Sequence, residues 1–255
     1  MGKAFDDLQN GVVLAELGGH GNGPYCARYG KGASLVIMGT YIIDTADDVP
    51  YPKDFVFKPD KGSYSDYLHE HIQSARKSGA KVGVSAISVE VKHTVDFLIS
   101  AEEAGADYVS LCAYSVMEMF TSKGLGCRLY HRDNRDKFKT WVGSILNAVG
   151  VPFIFKLGVS DEPFVAETVD ILSELGVSIV HAAADNAADS YGVSIIKSLA
   201  PRCRFLIAGG GIDSVDSAKR VLSTGAGAVS IAKAAMKDPD FLGRLQKNLV
   251  HPANE

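Results

Sequence analysis

The sequence predicts an α/β protein built as one (β/α)₈ TIM barrel, and three observations carry that expectation. Eight short apolar runs alternate with longer segments of helical period, a pattern that builds βαβ units around a parallel sheet. Four helix-to-strand junctions carry a glycine, at Ser78-Gly79-Ala80, Ala104-Gly105-Ala106-Asp107, Leu175-Gly176-Val177 and Thr224-Gly225-Ala226-Gly227. A left-handed C-cap calls for glycine at such a place. The length of 255 residues suits the roughly 250 that eight such units take.

The expected strands cover residues 12–17, 34–38, 81–87, 107–112, 152–157, 178–181, 203–208 and 228–231. Their runs are rich in Val and Ile and nearly continuous, as strands covered on both faces are. Helices are expected over 65–78, 91–104, 134–148, 163–175, 188–199, 214–223 and 241–249. Within the first of these, Tyr67, Leu68, Ile72 and Ala75 recur at helical spacing. Ser160-Asp161-Glu162-Pro163 and Asp213-Ser214-Val215-Asp216 place capping side chains ahead of helices. An open doubly wound sheet is the rival, because Gly18-Gly19-His20-Gly21-Asn22-Gly23 follows the first strand as a dinucleotide-binding turn does. No acidic residue ends the second strand as that fold expects, and eight units favour the barrel.

No linker or low-complexity stretch divides the chain, so residues 1–255 read as a single domain. Two segments, 41–64 and 115–133, are long for barrel loops, and long loops in compact domains are usually functional. Both follow strands at the end where barrel active sites sit. The four cysteines, Cys26, Cys112, Cys127 and Cys203, are scattered, which argues against a metal site or a disulfide framework. A reducing, cytoplasmic setting is expected. The first residues include Asp6 and Asp7 and no long apolar run, so no signal peptide is expected, and no run approaches the ~20 apolar residues of a membrane span. The net charge of −4 argues against a broad nucleic-acid surface.

The strongest local signal for function is Ile207-Ala208-Gly209-Gly210-Gly211-Ile212-Asp213, followed by Ala228-Val229-Ser230-Ile231-Ala232-Lys233-Ala234. The loops after the last two strands of a barrel often hold a phosphate. Glycines let backbone N–H groups approach an oxyanion, and Lys233 adds a charge; a tight turn alone is the plainer explanation. Lys156 ends an apolar strand, Phe153-Ile154-Phe155-Lys156-Leu157. A lysine there is costly to bury without a partner, so it reads as a ligand contact or as a snorkelling surface residue. His181 ends the next strand and is a ligand contact or a satisfied rim residue. Cys112 and Ser115 lie at the end of the fourth strand, and an inert buried thiol is the commoner state for such a cysteine. His20 and Asn22 are weaker candidates. Arg128, His131 and Arg132 either meet an acidic substrate or are solvated charges.

These segments, with Lys123-Gly124-Leu125-Gly126, resemble the FMN-dependent barrel superfamily of dihydrouridine synthases and dihydroorotate dehydrogenases. The resemblance runs from about Val12 to Leu242 and looks closest to archaeal barrel proteins related to dihydrouridine synthases. It implies FMN as cofactor, an oxidoreductase activity on a small substrate, and flavin contacts from Lys156 and His181. It also implies phosphate contacts from Gly209, Gly210, Gly211, Ala232 and Lys233, while Ala15 and Ser85 occupy further flavin-facing positions. The chain departs from the dihydrouridine synthase pattern after the fourth strand. Cys112 falls at the asparagine position and Ser115 at that of the proton-donating cysteine, so the resemblance makes Lys156, Ser115 and Cys112 the catalytic candidates. The sequence ends soon after the eighth strand, without the helical tRNA-gripping domain, so tRNA is not an expected partner; a homo-oligomer is compatible with the sequence.

Two other readings stand beside this one. A flavin-free lyase or synthase would use the same phosphate loops for a phosphorylated metabolite, with Lys156 as a Schiff-base or electrostatic residue. A non-catalytic binding protein would keep the pocket without the chemistry.

Overall fold

The protein, seen in a computed structural model that describes residues 5–46, 48–159 and 164–250, is a closed (β/α)₈ barrel. Its strands are β1 (Gly11–Leu14), β2 (Leu35–Ile43), β3 (Lys81–Ser88), β4 (Tyr108–Ala113), β5 (Phe153–Val159), β6 (Ile179–Ala184), β7 (Phe205–Gly209) and β8 (Ala228–Ile231). Each pairs in parallel with the next, and β8 returns to β1, with Leu14 opposite Ile231. The main outer helices are α1 (Gly23–Tyr29), α2 (Ser65–Ala75), α3 (Val91–Glu103), α4 (Arg135–Leu146), α5 (Val165–Glu174), α6 (Ser190–Leu199), α7 (Val215–Leu222) and α8 (Phe241–Val250). Closure excludes the open doubly wound sheet.

The glycines at the four junctions behave as expected. Gly79, Gly105, Gly176 and Gly225 have φ between +84° and +100°, a region that costs other residues energy. Ser214 caps α7, accepting from Ser217 N at 3.2 Å, with Ser217 Oγ reciprocating. The cap expected at Ser160 lies outside the described residues.

Several boundaries differ from the sequence reading; β1 ends at Leu14 and not at residue 17, and β6 runs on to Ala184. α1 begins inside the glycine-rich stretch, where Asn22 Oδ1 accepts from Tyr25 N at 3.0 Å and proline occupies the first turn. Asn22-Gly23-Pro24 is therefore a helix start, a signal that the repeated glycines concealed. β2 runs on to Ile43 through a bulge between Met38 and Tyr41, so residues 41–43 are strand and not loop. The rest of the 41–64 segment adds a two-residue strand, Val56–Phe57, beside the end of β2, and Tyr41 stacks on Phe55 to pin it. Segment 115–133 holds a short helix, Glu118–Thr121, and a 3-10 turn at Gly126–Arg128.

The core has two shells, as alternation of side chains along a barrel strand requires. Val12, Leu14, Val36 and Met38 face the helices, whereas Val13, Leu35, Ile37, Ile154, Ile179 and Ile207 fill the barrel interior. Leu8 and Phe5, the latter against Phe205, close the N-terminal end. Apolar side chains thus occupy the lower interior, and the polar ones gather at the C-terminal ends of the strands. No helix among the described residues is long and apolar enough to cross a membrane.

Candidate active site

Along β4, β5 and β6 the residues Cys112, Lys156 and His181 are successive register partners, so their side chains leave the sheet on one face. Inside the barrel that face meets Glu16, just past β1. Lys156 Nζ lies 3.1 Å from Glu16 Oε1, and Ser85 Oγ donates to the same oxygen at 3.4 Å. Thr40, turned inward at the bulge of β2, is 3.3 Å from Ser85 Oγ. His181 Nε2 is 2.7 Å from Ser230 Oγ on β8. Strand β7 contributes an absence: a Cβ on Gly209 would lie 1.9 Å from Ser230 Oγ, so glycine makes room for the Ser230–His181 bond.

Burial governs the electrostatics. Glu16 is 5% exposed and Lys156 7%; neither charge is tolerable there without the other. His181 is fully enclosed, and desolvation, followed by the Lys156 charge, holds its ring well below the ordinary imidazole value of 6.5. The neutral ring keeps one N–H. The Glu16 carboxylate, with Oε2 3.8 Å from Nδ1, favours that proton on Nδ1, which leaves Nε2 to accept from the Ser230 hydroxyl. Burial likewise raises the Cys112 thiol, against the lowering influence of Lys156, so Cys112 is a protonated thiol and a poor nucleophile. Three buried polar atoms here, Glu16 Oε2, His181 Nδ1 and Ser110 Oγ, have no hydrogen-bond partner among the described residues. Buried polar atoms seldom go unpaired, and these three point to a ligand or water at the barrel axis.

A pH dependence follows. Below pH 6.5 the unfolded chain takes up a proton that the native His181 refuses, so the unfolded state binds more protons and stability falls as the pH drops. The slope approaches about 1.4 kcal/mol per pH unit. The difference in unfolding free energy between wild type and His181→Gln, from urea melts at decreasing pH, is expected to shrink toward acid; a constant difference contradicts it.

The second half of the site is the pair of loops after β7 and β8. Gly210 (φ +123°) and Gly211 (φ +65°) adopt backbone conformations that favour glycine. The backbone N–H groups of Gly210, Gly211, Ile212, Ala232, Lys233 and Ala234 donate to no described residue. Lys233, exposed at the start of the short helix Lys233–Lys237, has no ion-pair partner among the described residues. Six free donors at the ends of two adjacent strands fit a phosphate.

The structure therefore brings together Lys156, His181, Ser85 and Cys112, with Gly209 beside them. Ala15 is buried and its N–H is spent on Ile231 O at 2.9 Å. Ser115 stays out of the cluster: its Oγ accepts from Met117 N at 3.4 Å and shapes the loop. Arg132 pairs with Glu167, and His20 is exposed. Glu16, Thr40, Ser110 and Ser230 were not singled out from the sequence. Glu16 had a signal, a charge at the end of an apolar run; the three hydroxyls had none.

A family model described as histidine biosynthesis protein matches residues 170–251, the part that carries β6, β7 and β8. No curated protein matches the chain. Among solved structures, morphinone reductase in complex with tetrahydroNAD is 14% identical with a TM-score of 0.68, over 93% of this chain and 86% of that one. DHODH from Eimeria tenella in complex with ferulenol is 16% identical with a TM-score of 0.68, over 93% and 80%. A tryptophan synthase α-subunit mutant from the hyperthermophile Pyrococcus furiosus is 13% identical with a TM-score of 0.58, over 95% and 98%. These likenesses show the barrel. They include two oxidoreductases and a synthase.

Proposed function

We propose that the chain is an FMN-dependent oxidoreductase acting on a small substrate. The observation that carries this reading is the set of six unbonded backbone N–H groups after β7 and β8, next to a barrel axis lined by Lys156 and orphaned polar atoms. Gly210, Gly211, Ala232 and Lys233 would hold the phosphate, with Lys156 toward the ring. Bound there, FMN supplies hydride transfer, the chemistry for which a protein recruits such a cofactor. The protein's own part is electrostatic. Lys156 holds positive charge against an anionic ligand, and Glu16 orients its ammonium. His181 stays neutral and locks Ser230. Cys112, at the position that the family resemblance matches to an asparagine, keeps its proton beside Lys156 and would be the available acid. The two oxidoreductases among the structural neighbours support the reading.

One observation favours a second reading. The Glu16 carboxylate offsets the positive charge that an anionic ring would call on, and a carboxylate–lysine pair serves proton transfer in a flavin-free synthase equally well. The histidine biosynthesis match across the phosphate loops and the tryptophan synthase neighbour agree with it. A visible absorption spectrum separates the two. The oxidoreductase reading expects flavin bands in the purified protein, or their appearance with a rise in melting temperature on adding FMN. A colourless protein whose melting temperature FMN leaves unchanged refutes it.

A further inference from the structure

A second recess opens at the barrel mouth, beside the polar cluster and distinct from the phosphate loops. It is a cavity of about 300 Å³ with Gly158 on its lining. Gly158 is the next position after Lys156 on the same face of β5, so one wall of the cavity is the strand end just beyond Lys156. Tyr114, Tyr130 and Phe164 form apolar walls. A Cβ on Gly158 would lie 2.5 Å from the Tyr114 ring, so glycine lets that ring pack against the strand. The volume is at the lower end for small-molecule sites.

Residues 128–135 carry three arginines. Arg132 and Arg135 both pair with Glu167. Arg128, exposed and on the cavity lining, pairs with no acid among the described residues. A guanidinium is a planar fork of donors matched to a carboxylate. Asp185, also on the lining, disfavours a second anionic group.

We propose that this cavity binds a small, flat, singly charged carboxylic acid, with its carboxylate on Arg128 and its body against the aromatic walls. As the substrate site it rests on the proposed function, since it places that acid at the strand end next to Lys156; as a binding site it does not require FMN. The test is calorimetric titration of the whole protein with benzoate and with its neutral isostere benzamide. Benzoate is expected to bind at least about tenfold more tightly than benzamide. Arg128→Leu is expected to abolish that preference and to leave benzamide binding and folding unchanged. Arg132→Leu, at an arginine already neutralised, is expected to keep it. Absence of benzoate binding, equal binding of the two probes, or an unchanged preference in Arg128→Leu overturns the proposal. The flavin spectrum of the same samples reports separately. Arg128-dependent benzoate binding in a colourless protein keeps the site and removes the oxidoreductase reading, whereas flavin bands without that dependence remove the site alone.

Discussion

Replacing Lys156 by methionine is expected to lower stability by about 3–5 kcal/mol, the usual cost of stranding one member of a buried ion pair. Methionine fills most of the lysine volume, so the loss is chiefly electrostatic. Glu16, 5% exposed, would keep Ser85 Oγ at 3.4 Å as its hydrogen-bond donor. For a domain this size the change lowers the melting temperature by about 10 °C. The double variant Lys156→Met/Glu16→Gln removes both charges and is expected to recover a large part of the loss. Chemical denaturation of the two variants checks this. A single variant within about 1 kcal/mol of wild type would mean that Glu16 and Lys156 are not the buried pair described.

The other large effect is expected at Gly210. An alanine Cβ there would stand 1.8 Å from the carbonyl oxygen of Ala184, a backbone atom at the end of β6. The φ of +123° adds strain for any L side chain. Strain and overpacking each cost about 1–3 kcal/mol, so Gly210→Ala is expected to lose about 4 kcal/mol. The accommodation must part the ends of β6 and β7, and three of the six free N–H groups, those of Gly210, Gly211 and Ile212, follow β7. Phosphate affinity should therefore fall with stability. Gly176→Ala is the control: φ is +92° and nothing lies within 4 Å of the added Cβ, so only the conformational cost of about 1–2 kcal/mol remains. Equal losses at the two positions, measured by denaturation, would contradict the role given to close packing at Gly210.

The barrel was legible because its signals are local and repeated. Gly79, Gly105, Gly176 and Gly225 each mark a helix end by the same backbone demand, and the apolar runs of β3 to β8 need no partner to be recognised. The site was legible where a residue violates its surroundings. Lys156 and His181 stand at the ends of apolar strands, and the structure puts both in the cluster. Glu16 violates its surroundings equally but was absorbed into a strand expected to reach residue 17. Its importance appears only on closure, when the end of β1 faces β5 across the barrel. Thr40 depends on a bulge that no residue pattern announced. Ser110 and Ser230 are small hydroxyls inside buried strands, indistinguishable in sequence from packing residues. Ser115 is the reverse case: matched by chain offset to a family pattern, its hydroxyl accepts from Met117 N in a loop turn outside the cluster.

The measurement that tests the central claim most directly is the affinity of the protein for FMN compared with riboflavin, which differ only in the phosphate. If the loops at Gly210, Gly211, Ala232 and Lys233 cradle that phosphate with their free N–H groups, FMN binds at least about 100-fold more tightly, a difference of about 2.7 kcal/mol. Equal affinity for the two, or no binding of either, would contradict the account.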